Sequence, residues 1–196
     1  LSRAQVEEEP EKTILKGEKD IAFLIYGDPM VATTHSDIIL RARKAGIETK
    51  IIHSGSIYCA ISETGLQIYK FGRTVSITYP EENWFPTSPV KYLSQNLESG
   101  LHTLCLLDVK ADRGRYMSVA QGIELLKEMA KKEDLQIFDG ETFCIGLARL
   151  GGDLKIVAGK AKDVAKADFG GPPHTLIVPA KLHFMEEEFL ADYLID

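Results

Sequence analysis

The sequence predicts an α/β protein made of two α/β subdomains with a ligand cleft between them. Three observations predict it. Short apolar runs alternate with amphipathic segments that carry helix caps, the pattern of a layered α/β fold. The first clear run, Ile21 to Tyr26, is continuously apolar, as in a parallel strand buried on both faces. Turn-forming residues stand at the ends of the runs, where α/β folds bind their ligands.

Taken in order, Ile21 to Tyr26 is a predicted strand closed by Gly27-Asp28-Pro29. A helix follows over about Thr34–Ala45, with Thr34 and Asp37 at capping-box-like spacing, Asp37 and Arg41 four apart, and Gly46 as terminator. Glu48 to His53 is the next strand, then a Ser54-Gly55-Ser56 loop and a short helix from Ile57 to about Glu63. Gly65 to Gly72 connects. Thr74 to Tyr79 alternates as a strand, and Pro80 to Pro89 is a long loop holding Trp84 and Phe85. Ser88-Pro89 starts a helix that Gly100 ends. Leu101 to Val109 is a strand. Ser118 and Gln121 form a capping box for a helix with Val119, Ile123, Leu126 and Met129 on one stripe. Phe143 to Leu150, Leu154 to Val157 and His174 to Val178 are further strands, and a last helix runs from about Leu182 to Leu194. The later strands lie closer together than the earlier ones. The division is therefore placed at Phe71: residues 1–71 form a parallel α/β subdomain and residues 72–196 one with a mixed sheet.

Composition narrows the function. The 196 residues are 44% hydrophobic and 27% charged, enough for a sizeable core. A balance of 23 basic to 29 acidic residues, net −6, speaks against tracking a phosphate backbone, so no nucleic-acid partner is expected. Cys59, Cys105 and Cys144 are widely spaced, which excludes a disulfide framework or a structural zinc site and fits a reducing cytoplasm. No apolar run approaches the roughly 20 residues of a membrane span, and no signal-peptide pattern opens the chain.

Several motifs fail. There is no P-loop, no Gly-x-Gly-x-x-Gly, no His-Glu-x-x-His and no Gly-x-Ser-x-Gly elbow. His35, His53, His102, His174 and His183 lack metal-ligand spacing, so no metal is expected. What remains are strand-end loops: Gly27-Asp28-Pro29, Ser54-Gly55-Ser56, Asp108 and Leu150-Gly151-Gly152, with His174 at a strand mouth after Pro172-Pro173. Each also has a plain structural explanation in turn and cap chemistry. Glu186-Glu187-Glu188 reads as the solvated face of the last helix.

The segments GDPMVATTHSDIILRARKAG (27–46), IIHSGSIYCAISETGLQIYKFG (51–72), TYPEENWFPTSP (78–89), LHTLCLLDVKA (101–111), LARLGG (147–152) and DFGGPPHTLIVPAKLHFMEEEFL (168–190) together resemble the diphthine synthases, short archaeal type, of the wider tetrapyrrole-methylase-like superfamily. Gly-Asp-Pro is general to that superfamily, whereas Tyr79-Pro-Glu-Glu-Asn-Trp-Phe-Pro and Gly171-Pro-Pro-His174 are particular to the family. The resemblance implies a methyltransferase of tetrapyrrole methylase fold that binds S-adenosylmethionine (SAM) between its two domains and releases S-adenosylhomocysteine. It implies trimethylation of the amino group of a 3-amino-3-carboxypropyl-histidine on translation elongation factor 2, giving diphthine, by a cytoplasmic homodimer. Carried over by position, the cofactor contacts fall on Asp28 and Val31, Ser56 and Ile57, Leu107, Leu150 and His174. No general base is assigned, Asp108 and His174 being the nearest candidates. The family's first strand and Gly-Leu-Gly-type loop have no counterpart here, so the chain is read as part of a longer one with an exposed apolar sheet edge. Tyr26 stands where relatives have proline. The alternatives are a superfamily methylase acting on a corrinoid precursor or ribosomal RNA, and a non-catalytic SAM-binding module. Trp84 and Phe85 are expected either to dock the substrate protein or to pack beneath their loop or in a dimer contact.

Overall fold

The structure, a computed structural model, describes residues 1, 3–16 and 20–195. The chain separates into two compact units, Leu1–Ala60 and Ile61–Asp196.

The first unit contains helices α1 (Arg3–Glu7), α2 (Ser36–Lys44) and α3 (Ile57–Ala60), with a 3₁₀ turn at Pro10–Lys12. The strands expected over 21–26 and 48–53 are not formed. A strand persists only where a neighbour completes its hydrogen-bond ladder, and among the described residues of this unit no ladder includes either segment. Most of their apolar side chains face solvent, Leu24 at 88%, Tyr26 at 106% and Ile52 at 76% exposure, while Phe23 packs edge-on against His35. In α2 the expected ion pair forms, Arg41 Nε to Asp37 Oδ2 at 2.7 Å. The Thr34–Asp37 capping box does not form. His35 is the N-cap residue, and the Thr34 hydroxyl donates to Glu7 at 2.9 Å instead. Gly46, at φ +72°, reverses the chain so that the Ile47 N–H reaches the Ala42 carbonyl.

The second unit is built on a five-stranded sheet. Its strands are β1 (Val75–Ile77), β2 (Thr103–Leu107), β5 (Phe143–Ala148), β6 (Lys155–Lys160) and β7 (His174–Val178), in the order β1-β2-β7-β5-β6. Only the β1–β2 pair is parallel; the other pairs are antiparallel, which makes the sheet mixed as expected. A small ribbon, β3 (Val109–Lys110) against β4 (Arg115–Tyr116), fills the stretch after β2. Helix α4 (Ser88–Glu98) starts on Pro89, and α5 (Val119–Lys132) starts on the expected capping box. There Ser118 Oγ accepts the Gln121 N–H at 3.2 Å, and Gln121 Oε1 accepts the Ser118 N–H at 3.0 Å. Val119, Ile123, Leu126 and Met129 on α5 are fully buried against the sheet, each worth roughly 1.5–3 kcal/mol of apolar burial. Helices α6 (Ala161–Val164) and α7 (Phe184–Leu190) complete the unit.

One expectation about α7 is overturned. Glu187 and Glu188 are exposed, but Glu186 is fully buried. It is the N3 residue of a capping box with His183 and also meets Lys70 and His102, so partners inside the unit outweigh the desolvation of its charge.

Candidate functional site

In the first unit, Gly27 takes φ +79°, a conformation glycine accepts without cost, and so turns the chain into Asp28. The Asp28 carboxylate joins two loops. Its Oδ1 accepts the Met30 N–H at 2.8 Å, while its Oδ2 lies 2.8 Å from His53 Nδ1 and accepts the Ser54 N–H at 3.2 Å. The Met30 N–H, then His53, hold the carboxyl below its ordinary value. Val31 closes the same turn through its N–H to the Asp28 carbonyl. Ser56 opens α3, its carbonyl accepting from the Cys59 and Ala60 N–H groups, and Ile57 is the first residue of that helix. The loops carrying Asp28, Val31, Ser56 and Ile57 are thus tied together. His53 is the partner that sequence reasoning passed over. The available signal was its position: it ends the second apolar run as Asp28 follows the first.

In the second unit, the sheet register gathers the other expected residues. Leu106 pairs with Thr175 across β2–β7, and Ala148 pairs with His174 across β5–β7. Leu107, at the carboxyl end of β2, and Leu150, just beyond the carboxyl end of β5, are therefore carried to the edge where His174 begins β7. Leu107 is held from behind by α5, where an added Cβ on Gly122 would stand 2.7 Å from its Cδ2. Asp108 braces the ends of β1 and β2. Its N–H donates to the Ile77 carbonyl at 3.0 Å and its Oδ2 accepts the Tyr79 N–H at 3.0 Å.

His174 has a defined chemistry. Its Nε2 lies 3.2 Å from both the Gly170 and Gly171 carbonyls, which only accept, so Nε2 carries the proton. In the neutral ring Nδ1 is then the acceptor, and it is buried with no partner among the described residues. An orphaned acceptor at the end of the sheet that also carries Leu107 and Leu150 suits a ligand that combines N–H or O–H donors with apolar surface. SAM, with its amino and hydroxyl groups and its adenine face, fits that donor set. A second orphaned atom, the Thr78 hydroxyl, follows β1 and was not anticipated. Among the described residues, no group of three or more His, Cys, Asp or Glu side chains is placed to hold a metal ion. No described helix is long and apolar enough to cross a membrane.

A mixed α/β sheet with candidate ligand loops beyond the carboxyl ends of β2 and β5 defines the class, an α/β protein of the kind that binds its ligand at strand ends. The family described as Tetrapyrrole (Corrin/Porphyrin) Methylases matches residues 2–163. The chain is 50% identical over 192 residues to a diphthine synthase of Methanococcus maripaludis strain C5, covering 97% of this chain and 75% of that protein. It is 49% identical over 194 residues to a diphthine synthase of Methanocaldococcus jannaschii, covering 97% and 76%. A crystal structure of diphthine synthase superposes with a TM-score of 0.86 at 33% identity, covering 99% of this chain and 74% of that one. The chain belongs to the tetrapyrrole methylase family and, within it, to the diphthine synthases.

Proposed function

We propose that this protein is a SAM-dependent N-methyltransferase. Its acceptor is the amino group of the 3-amino-3-carboxypropyl-histidine of translation elongation factor 2, which it trimethylates to diphthine in the cytoplasm, as a homodimer. The observation that carries the reading is 50% identity to a diphthine synthase across 97% of the chain.

The residues fit their proposed roles. Asp28 orders its own turn and the His53–Ile57 loop; His174 offers its Nδ1 acceptor; Val31 and Ile57 in the first unit, and Leu107 and Leu150 in the second, are the apolar residues proposed to contact the cofactor. When bound, SAM supplies an already activated methyl group. An acceptor amine with a pKa of about 8 is neutral in roughly a tenth of molecules at pH 7. That costs about 1.4 kcal/mol, and holding the groups in line offsets it several-fold. No dedicated base is therefore required. Asp108 spends one oxygen on the Tyr79 N–H, and His174 is orientated by two carbonyls, which suits both to holding geometry.

The substrate protein docks beside Trp84. The loop closes on itself through paired bonds between Glu81 and Trp84, 2.9 Å each way, leaving Trp84 51% exposed. Phe85 instead packs on the core beneath Lys132. An exposed Trp on a closed turn supports a contact surface.

The test is incubation with SAM and elongation factor 2 bearing the 3-amino-3-carboxypropyl group, with the modified peptide read by mass spectrometry. Trimethylation is expected. SAM binding with no methylation of this substrate would leave the fold and discard the acceptor.

A further inference from the structure

Arg149 follows β5 in a left-handed conformation, φ +54°, that a residue with a Cβ adopts only under constraint. Its hydrogen bonds supply the constraint. The Arg149 N–H donates to the Pro173 carbonyl at 2.9 Å, and Nη1 donates to the Phe169 and Gly171 carbonyls at 2.6 Å each. Nε donates to the Asp153 carbonyl at 3.0 Å. One planar fork thus holds the 169–173 segment on one side and the turn after β5 on the other. Gly170 closes over it at φ +67°, where an added Cβ would stand 3.2 Å from Nη1.

The Gly171 carbonyl is shared. It accepts from Arg149 Nη1 and also lies within hydrogen-bond reach of His174 Nε2. Fixing that carbonyl fixes which imidazole nitrogen carries the proton, and so leaves Nδ1 as the buried acceptor. We propose that Arg149 is a positioning residue for the cofactor: through the Gly171 carbonyl it holds His174 in the Nε2–H form, and through its own turn it sets Leu150. The proposal rests on the reading above that His174 and Leu150 contact SAM. Arg149 itself touches carbonyls and need not touch the cofactor.

Two variants test it. Arg149→Gly removes the guanidinium while suiting the left-handed turn; Arg149→Lys keeps the charge but not the fork. The measurements are the His174 tautomer by imidazole nitrogen NMR, amide exchange over 169–175 in the cofactor-free chain, the Kd for S-adenosylhomocysteine by calorimetry, and KM for SAM and kcat in the methylation assay. Expected are a single Nε2–H tautomer in the parent and mixed tautomers in Arg149→Gly. Exchange should quicken at 169–175 with 143–148 and 155–160 unchanged, and binding should weaken about tenfold or more. KM for SAM should rise more than kcat falls, and lysine should not rescue. An unchanged tautomer and Kd in Arg149→Gly, with the parent binding normally, overturns the positioning role alone. If Arg149→Gly loses protection throughout, Arg149→Lys decides: parental Kd and tautomer there overturn it equally. No binding by the parent overturns the cofactor reading and the role built on it together.

Discussion

His102 and Glu186 meet inside the second unit, Nε2 to Oε1 at 3.2 Å, with both side chains at 0% exposure. His102 Nδ1 accepts the Ala180 N–H at 3.0 Å, so Nε2 carries the proton and donates to the carboxylate. Glu186 further accepts the Gln67 N–H at 2.9 Å and the His183 N–H at 2.8 Å, and pairs with Lys70 at 2.5 Å. The network ties the start of α7 to the segment before β1 and to the entry of β2. Removing the carboxylate leaves a buried imidazole donor and a partly buried ammonium without their acceptor. Glu186→Ala is expected to destabilise the protein by about 3–5 kcal/mol, read as the shift in a urea transition. A change below 1 kcal/mol would show the network to be dispensable.

The same pair predicts how stability depends on pH. Burial holds the His102 imidazole below its ordinary value of 6.5, against the opposing pull of Glu186. Burial pushes the Glu186 carboxyl up, but the His183 N–H, Lys70, the Gln67 N–H and His102 outweigh it and bring it down to about 2. Both folded values lie below the unfolded ones, so the unfolded chain binds more protons and both contributions fade as pH falls. The His102 contribution is complete above 6.5 and declines below it; that of Glu186 is complete above the ordinary carboxyl range and is lost towards pH 2. Urea midpoints between pH 8 and 5 should fall in the parent and stay flatter in His102→Gln. Parallel profiles would remove His102 from the account.

Asp28→Asn removes the charge that gathers the Met30 and Ser54 N–H groups and His53. An amide presents one acceptor oxygen in place of two, so the two loops lose part of their tie. Weaker S-adenosylhomocysteine binding, by about tenfold or more, is expected in calorimetry. Amide exchange in the sheet of the second unit should stay at its parental level.

Gly146 sits in β5 under Phe169. A Cβ there would collide with the Phe169 ring and stand 2.9 Å from Val119 Cγ1. Gly146→Ala is expected to cost about 1–3 kcal/mol from overpacking. Because the Phe169 carbonyl accepts from Arg149, cofactor affinity should fall with it. Thermal unfolding and calorimetry on one preparation check both, and an unaltered Tm would refute the packing argument.

Trp84→Ala deletes a half-exposed ring, so the melting temperature and S-adenosylhomocysteine affinity should be unchanged within error. Methylation of the elongation factor should fall through a raised KM for the protein. Equal KM values in parent and variant would dismiss the docking role.

Much of the second unit was legible in the sequence because its signals are local. The Ser118–Gln121 box, Pro89 at the start of α4 and the α5 stripe act within one or two helical turns, and each is found where the pattern put it. Glu186 was misread for the opposite reason. Nothing in Glu186-Glu187-Glu188 separates the first glutamate from its neighbours; its partners Lys70 and His102 stand more than 80 residues away in the chain. The segments 21–26 and 48–53 show the limit of periodicity, since an apolar run specifies a strand only when another strand is there to pair with it.

The sequence by itself determined the alternation of strands and helices in the second unit, the Ser118–Gln121 cap, the failure of metal and phosphate motifs, and through its particular loops the family. Tertiary structure decided the rest. Antiparallel pairing of β7 with both β2 and β5 brings Leu107, Leu150 and His174 to one sheet edge. Folding of the 169–173 carbonyls around Arg149 settles which nitrogen of His174 is left to accept. The physical reason is range. Caps and turns are set by hydrogen bonds between near neighbours in sequence, whereas register, burial and tautomer depend on atoms that only the completed fold brings within 3 Å or so of one another.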